Sequence, residues 1–160
     1  MVLRRQISGR LRSSPAQTFL LYPLAVLVLE TIRRRGRLRV RPAGLAVMLA
    51  GWLLYRTAGE YRRARAGGRG MRSLPAALVV GGPYAHTRNP MYLGHLVFTA
   101  GLAVATRSPL ALALLAERWL RFQRRIETDE RRLAERFGVD YEAYRMKVPR
   151  WLPLVRRRSS

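Results

Sequence analysis

Four apolar stretches, separated by arginine-rich connections, constrain this chain more than any other feature. They run from Ala16 to Ile32, Val40 to Tyr55, Met91 to Thr106 and Pro109 to Ala116, the last extended by Trp119 and Leu120. Phe19 to Leu29 has almost no polar face, and a chain of 160 residues cannot bury four such helices on all sides. Each stretch is shorter than the ~20 residues that cross a ~30 Å hydrocarbon core, so a soluble bundle of buried helices is the alternative. In the first stretch Phe19, Leu20, Leu21, Leu24, Val26, Leu27, Val28, Leu29 and Ile32, at ~0.3–0.6 kcal/mol each, contribute roughly 3–5 kcal/mol to insertion. That is enough to carry Glu30 near the end. The expected fold is an all-α polytopic integral membrane protein. It has about four short transmembrane helices in two hairpins, then a C-terminal cytoplasmic helix and an extended tail.

Charge sharpens this reading. The chain holds 31 Lys plus Arg against nine Asp plus Glu, a net +22, and every cation but Lys147 is Arg. Such an excess suits nucleic acid or anionic lipid head groups beside membrane spans. Seven of the nine acids lie between Glu117 and Glu142, so that segment differs chemically from all that precedes it. The absence of Cys excludes disulfides, thiolate metal ligands, a Cys nucleophile and Cys lipidation. His86 and His95 are too few for a histidine metal cage, and no metal site is expected. Arg4, Arg5, Arg10 and Arg12 ahead of an apolar run resemble a signal peptide, but Glu30-Thr31-Ile32-Arg33 follows instead of a cleavage site. A retained anchor is expected.

Arginine placement orients the hairpins. The N-terminus, the Arg56–Arg72 linker and the C-terminal third fall on one side, which the positive-inside rule makes cytoplasmic. The Arg33–Arg41 loop, with six Arg, lies on the far side and violates that rule unless the first hairpin inserts only partway. The Arg56–Arg72 linker, with Gly67, Gly68 and Gly70, reads as a flexible basic loop. A single membrane domain over 1–155 is expected. It divides into an N-terminal hairpin with linker (1–72) and a part that carries the polar clusters (82–153), and a disordered tail follows at 156–160.

Two polar clusters flank the later apolar segments. In the first, Asn89-Pro90 marks a helix start, since Asn is a favoured N-cap and Pro suits the first helical position. The free N–H groups and dipole of that helix, beside Arg88, suit a carboxylate or phosphate. Tyr92, His95 and Thr99 follow at helical spacing on one face. His95 by itself reads as packing at a helix interface.

In the second cluster Trp119, Phe122, Ile126, Leu133 and Phe137 form an apolar stripe with one gap, where the sequence supplies Asp129 and Glu130. At least one carboxylate therefore points into the stripe and needs a partner. Arg125 or Arg132 can supply it, or a cationic ligand can. Glu127, Glu135 and Glu142 read as solvated partners of neighbouring Arg. Gly138 reads as the cap that ends the helix. Tyr141 and Tyr144 follow, then an extended Val148-Pro149-Arg150-Trp151-Leu152-Pro153 in which Trp151 suits an interfacial anchor.

These residues as a set resemble the isoprenylcysteine carboxyl methyltransferase family and its phospholipid methyltransferase relatives. The set comprises Gly82-Pro83-Tyr84, Arg88-x-Pro90-x-Tyr92-x-Gly94, Asp129-Glu130, Leu133, Phe137-Gly138, Tyr141-x-x-Tyr144 and Pro149-Arg150-x-x-Pro153, and it covers about half the chain. The resemblance implies a small helical membrane enzyme that moves a methyl group from S-adenosylmethionine to a lipophilic acceptor at the membrane surface. O-methylation of a carboxylate is favoured and phospholipid N-methylation is the alternative. The resemblance places Tyr84, His86, Arg88, Asn89, Tyr92, Leu93, Gly94, Asp129 and Glu130 at the cofactor. Tyr141 and Arg150 go toward the acceptor, and Arg88, Glu130 and Arg150 are catalytic. The family commonly reads Arg-His-Pro where this chain has Arg88-Asn89-Pro90, so Asn89 is given a binding role rather than proton transfer.

Partners implied are a lipophilic or lipid-modified substrate and membrane lipids including anionic head groups, with no nucleic acid. The site is expected to face the cytoplasm. A relative of the sterol reductases or a non-catalytic basic membrane protein is the competing reading, and a soluble nucleic-acid binder the weakest.

Overall fold

The computed structural model describes residues 14–67 and 75–151. The basic residues before Ser14, the linker from Gly68 to Leu74, Leu152-Pro153 and the 156–160 tail lie outside the described residues. Among the described residues all regular structure is helical: α1 (Ser14–Arg33), α2 (Pro42–Ala66), a short 3-10 turn (Gly82–Ala85), α3 (Pro90–Thr106) and α4 (Pro109–Lys147). The four apolar stretches thus become four helices. Among the described residues α1 alone, at 20 residues, is long and apolar enough to cross a membrane, and α3 is a shorter apolar helix.

One expectation changes. The basic segment from Arg56 is not a flexible loop, because α2 continues through it to Ala66. Arginine is a good helix former, and pairs one turn apart reinforce it: Arg56 meets Glu60 at 2.6 Å, and Arg65 lies 3.6 Å from the centre of the Tyr61 ring. The chain turns at Gly67, with φ +60°. Gly138 ends the first of two helices within α4, as its reading as a cap expects: its φ of 49° and ψ of −123° are non-helical, and a second helix follows across the kink to Lys147. The fourth apolar stretch and the acids from Glu117 to Glu135 belong to the first of these helices.

The chain divides into two compact units. One contains the chain up to Leu53 together with Gly94–Leu120, and the other Leu54–Leu93 together with the chain from Arg121. The first unit has an apolar core and exposes large apolar side chains. Val26, Leu102, Ala103 and Ala111 form its core. Among the described residues, all but three of the large apolar side chains left on the surface (Val80, Val139 and Met146) also belong to this unit, among them Leu24, Leu27, Leu29, Ile32, Leu49 and Leu112. Exposed apolar side chains in such number suit contact with lipid.

Within this unit α2 and α3 approach until their backbones touch. A Cβ on Gly44 would lie 2.2 Å from the Ala105 nitrogen, one on Gly51 2.4 Å from the Phe98 nitrogen, and one on Gly101 2.5 Å from the Met48 nitrogen. Small residues permit such contact, which apolar helices use in place of hydrophobic burial.

Several buried polar groups here satisfy one another. Glu30, 3% exposed, accepts hydrogen bonds from Arg33 (2.8 Å), Arg34 (2.9 Å) and the Ser108 hydroxyl (2.8 Å). Two of the six loop arginines are thereby matched by a carboxylate. Ser108 also caps α4, accepting from the Ala111 N–H just ahead of Pro109 at the first helical position. Arg118, 1% exposed, donates to Gln17 at 3.1 Å and to the Tyr22 hydroxyl. Gln17 opens a π-helical turn, Gln17–Leu21, which precedes Pro23. Proline offers no N–H to the α-helical ladder, and the turn ahead of it widens. His95 is fully buried and stacks on Phe19 at 4.8 Å, in keeping with its reading as a packing residue.

Candidate active site

The second unit holds a cavity whose walls come from both polar clusters. Arg62, Pro75, Leu78, Val79, Tyr84, Arg88, Asn89, Pro90, Met91, Tyr92, Asp129, Glu130, Arg132, Leu133, Tyr141 and Tyr144 line it. Three local rules bring them together. Pro90 starts α3 and keeps Asn89 out of helical geometry, with Arg88 at a bend just before it. The α4 stripe turns Asp129 and Glu130 to the same side as Phe122 and Leu133. After the Gly138 break, the i, i+3 spacing of Tyr141 and Tyr144 lays both rings on the buried face, packed with Leu78, Leu133 and Phe137.

The acid pair divides its work. Asp129 accepts a hydrogen bond from the Tyr92 hydroxyl at 2.6 Å and lies 3.5 Å from Arg125. The Tyr92 ring packs edge-on against Phe122 at 4.6 Å. Glu130 instead meets two arginines distant in sequence. Arg88 Nη1 lies 3.1 Å from its Oε1, and Arg150 reaches it through Nε (3.2 Å) and Nη2 (2.7 Å). Both members of the Arg88–Glu130 pair are nearly buried, at 10% and 12% side-chain exposure. The stripe argument for an inward carboxylate holds best for Glu130, while Asp129 keeps 22% side-chain exposure. The partners were only partly foreseen: Arg125 is near Asp129, whereas Glu130 takes Arg88 and Arg150.

Arg88 also donates to the Tyr141 hydroxyl at 3.3 Å, and its backbone N–H donates to the Pro149 carbonyl at 3.0 Å. Its Nε is buried without a hydrogen-bond partner. A buried guanidinium N–H left unmatched is costly, and an anionic ligand group in this cavity would satisfy it. The tyrosines are neutral walls. Burial pushes the Tyr84 phenol up to about 12, and burial also raises Tyr141 and Tyr144, with the Glu130 charge adding at Tyr141. Tyr144 donates to the Tyr84 carbonyl at 2.7 Å, tying the 3-10 turn to α4. Its bond to Glu130 holds Arg150 firmly protonated.

Of the sequence-derived site residues, Tyr84, Arg88, Asn89, Tyr92, Asp129, Glu130 and Tyr141 line this cavity. Arg150 touches it through Glu130. His86, Leu93 and Gly94 are not among the lining residues. His86 is exposed, and the Gly94 carbonyl abuts Gly51, where it serves helix packing. Sequence reasoning passed over Thr87, Arg62 and the apolar wall of Pro75, Leu78 and Val79. Thr87 stands beside Arg88, yet nothing local marks its partner 63 residues away.

The chain matches a known family. Residues 42–139 fit the family model described as phospholipid methyltransferase. The chain belongs to the phospholipid methyltransferase family. It is also 37% identical over 79 residues to the protein-S-isoprenylcysteine O-methyltransferase of Schizosaccharomyces pombe, a match covering 49% of this chain and 34% of that protein. The Xenopus laevis protein of the same name is 38% identical over 81 residues (49% and 28%). Protein-S-isoprenylcysteine O-methyltransferase B of Arabidopsis thaliana is 35% identical over 79 residues (49% and 40%). The matches thus span well under half the length of these curated relatives.

Proposed function

We propose that this family member is an S-adenosylmethionine-dependent methyltransferase acting on a carboxylate of a lipid-modified acceptor. The observation that carries the proposal is the single cavity in which Arg88, Asp129 and Glu130 meet under tyrosine walls. The donor is a zwitterion with an additional sulfonium, and the residues present fit it. Arg88, with its unmatched buried Nε, suits the donor carboxylate. Asp129 and Glu130 suit the cationic groups, and Tyr84, Tyr141 and Tyr144 supply flat apolar faces.

When bound, the donor supplies a methyl on sulfur, so that a C–O bond forms as the S–C bond breaks and sulfur keeps the electron pair. The acceptor carboxylate is already ionised at neutral pH and needs no base from the protein. The chain's work is alignment and exclusion of water, which the buried tyrosines and the apolar wall perform. Arg150, 36% exposed and at the rim of the Glu130 pair, is the residue we assign to the acceptor's carboxylate. We place the protein in a membrane, with the exposed apolar side chains of the first unit against lipid and the arginines drawing anionic head groups. The cavity then faces the cytoplasm by the positive-inside rule.

Thermal stabilisation by S-adenosylhomocysteine, wild type beside Glu130→Gln, tests the donor site. At about 100 times its dissociation constant the ligand adds roughly 2.7 kcal/mol to the wild type, and the variant shows a much smaller shift. No shift in folded wild-type protein would overturn the proposal. Transfer of labelled methyl to N-acetyl-S-farnesylcysteine, with label released by mild alkali, identifies a carboxylate ester. Alkali-stable label on phosphatidylethanolamine would point to N-methylation instead.

A further inference from the structure

The residue before Pro90 lines the cavity, but its amide is bonded elsewhere. Asn89 Nδ2 donates to the Arg150 carbonyl at 3.0 Å. The Thr87 hydroxyl donates to the same carbonyl at 3.1 Å. Between them the Arg88 N–H donates to the adjacent Pro149 carbonyl. Three consecutive residues thus grip two consecutive carbonyls of a segment that lies beyond the end of α4, outside any helix or strand. Thr87 and Asn89 are 4% and 9% exposed. The Thr87 hydroxyl is itself oriented, because it accepts from the Asn89 N–H at 3.2 Å, leaving its proton for Arg150.

Buried donors of this kind are costly if unmet, so the grip holds the backbone of Arg150 in one place. From there the guanidinium reaches both oxygens of Glu130, a two-toothed contact that requires the planar fork at a set distance and angle. We propose that Thr87 and Asn89 are positioning residues that set the Arg150 guanidinium against Glu130, and that they influence methyl transfer through Arg150 and not by holding the donor. The link to methyl transfer rests on the function proposed above; the positioning itself does not.

The first test therefore needs no activity. Purified protein is treated with phenylglyoxal, and modification of Arg150 and of exposed Arg56 is followed by peptide mass spectrometry. Thr87→Val and Asn89→Asp each remove one donor at nearly constant shape. They are expected to raise the Arg150 rate several-fold, toward that of Glu130→Gln, with Arg56 unchanged and Thr87→Ser restoring the wild-type rate. An Arg150 rate equal to wild type in both variants would overturn the positioning role, whatever the protein catalyses.

The second test reads methyl transfer to N-acetyl-S-farnesylcysteine. Each variant is expected to lower kcat/KM for that acceptor about tenfold, the effect of one hydrogen bond, with S-adenosylhomocysteine affinity within twofold of wild type. In an Arg150→Gln background Asn89→Asp should have no further effect. Weakened S-adenosylhomocysteine binding matching the loss of rate, or full additivity with Arg150→Gln, would return Asn89 to the donor site. Failure of the wild type to bind S-adenosylhomocysteine would instead remove the proposed reaction and leave the modification result standing.

Discussion

Replacing glycine by alanine in α2 should stabilise or destabilise the protein depending only on which glycine is changed. At Gly51 the added Cβ would sit 2.4 Å from the Phe98 nitrogen, 2.7 Å from the Gly94 carbonyl oxygen and 2.8 Å from the Phe98 Cα. All three are backbone atoms of α3, so no rotamer change relieves the clash. The helices must part by about 1 Å to restore ordinary contact, and overpacking of this kind costs about 1–3 kcal/mol. At Gly59, one turn beyond the apolar stretch in the same helix, the nearest atom is the flexible Met91 Cε at 3.5 Å, an ordinary contact. Here the helix simply gains: alanine is better than glycine by about 0.5–1 kcal/mol in a helix interior. The two variants therefore differ by roughly 1.5–4 kcal/mol. At 2–4 °C per kcal/mol for a domain of this size, their melting temperatures separate by about 3–16 °C, with wild type between them. Thermal unfolding in one detergent, followed by tryptophan fluorescence, reads the order directly. A neutral or stabilising Gly51→Ala would show that α2 and α3 are not in backbone contact. A strongly destabilising Gly59→Ala would show that the Met91 contact is tighter than the structure gives.

Two further outcomes follow from the second unit. Tyr92→Phe removes the 2.6 Å hydrogen bond to Asp129 and should lower stability by about 1.5–3 kcal/mol, the usual worth of a bond to a charged group. Combined with Asp129→Asn the losses should be well below additive, and full additivity would show that the pair does not interact. Alkaline pH should leave stability flat to about pH 10 and then reduce it. The unfolded chain releases its phenolic protons near pH 10, while burial holds Tyr84 up to about 12 and raises Tyr141 and Tyr144. Above pH 10 the unfolded state therefore binds fewer protons than the folded one, so stability falls as pH rises. Denaturation midpoints between pH 7 and 12 measure this, and Tyr84→Phe should flatten the decline; a decline beginning below pH 9 would contradict it.

What the sequence by itself determined here was local. Apolar runs and their Pro and Gly boundaries placed four helices, because hydrophobic length, N-cap chemistry and left-handed glycine are properties of a few neighbouring residues. The gap in the α4 stripe showed that a carboxylate must turn inward at 129 or 130, since helical periodicity leaves no other face. Where local composition alone was used, as for the basic segment from Arg56, it misled. Glycine and charge suggested a loop, while i, i+4 pairs made a helix as far as Ala66.

Only the tertiary structure decided which charges meet. Glu130 pairs with Arg88 and Arg150 rather than with Arg132, one turn from Asp129 on its own helix. Asn89 gives its amide to a carbonyl 61 residues on. The motifs around Arg88 and Arg150 marked both arginines, but no spacing showed that the two meet on Glu130. An ion pair is selected by where the folded backbone sets each side chain and by how little water remains between them, and both are results of packing.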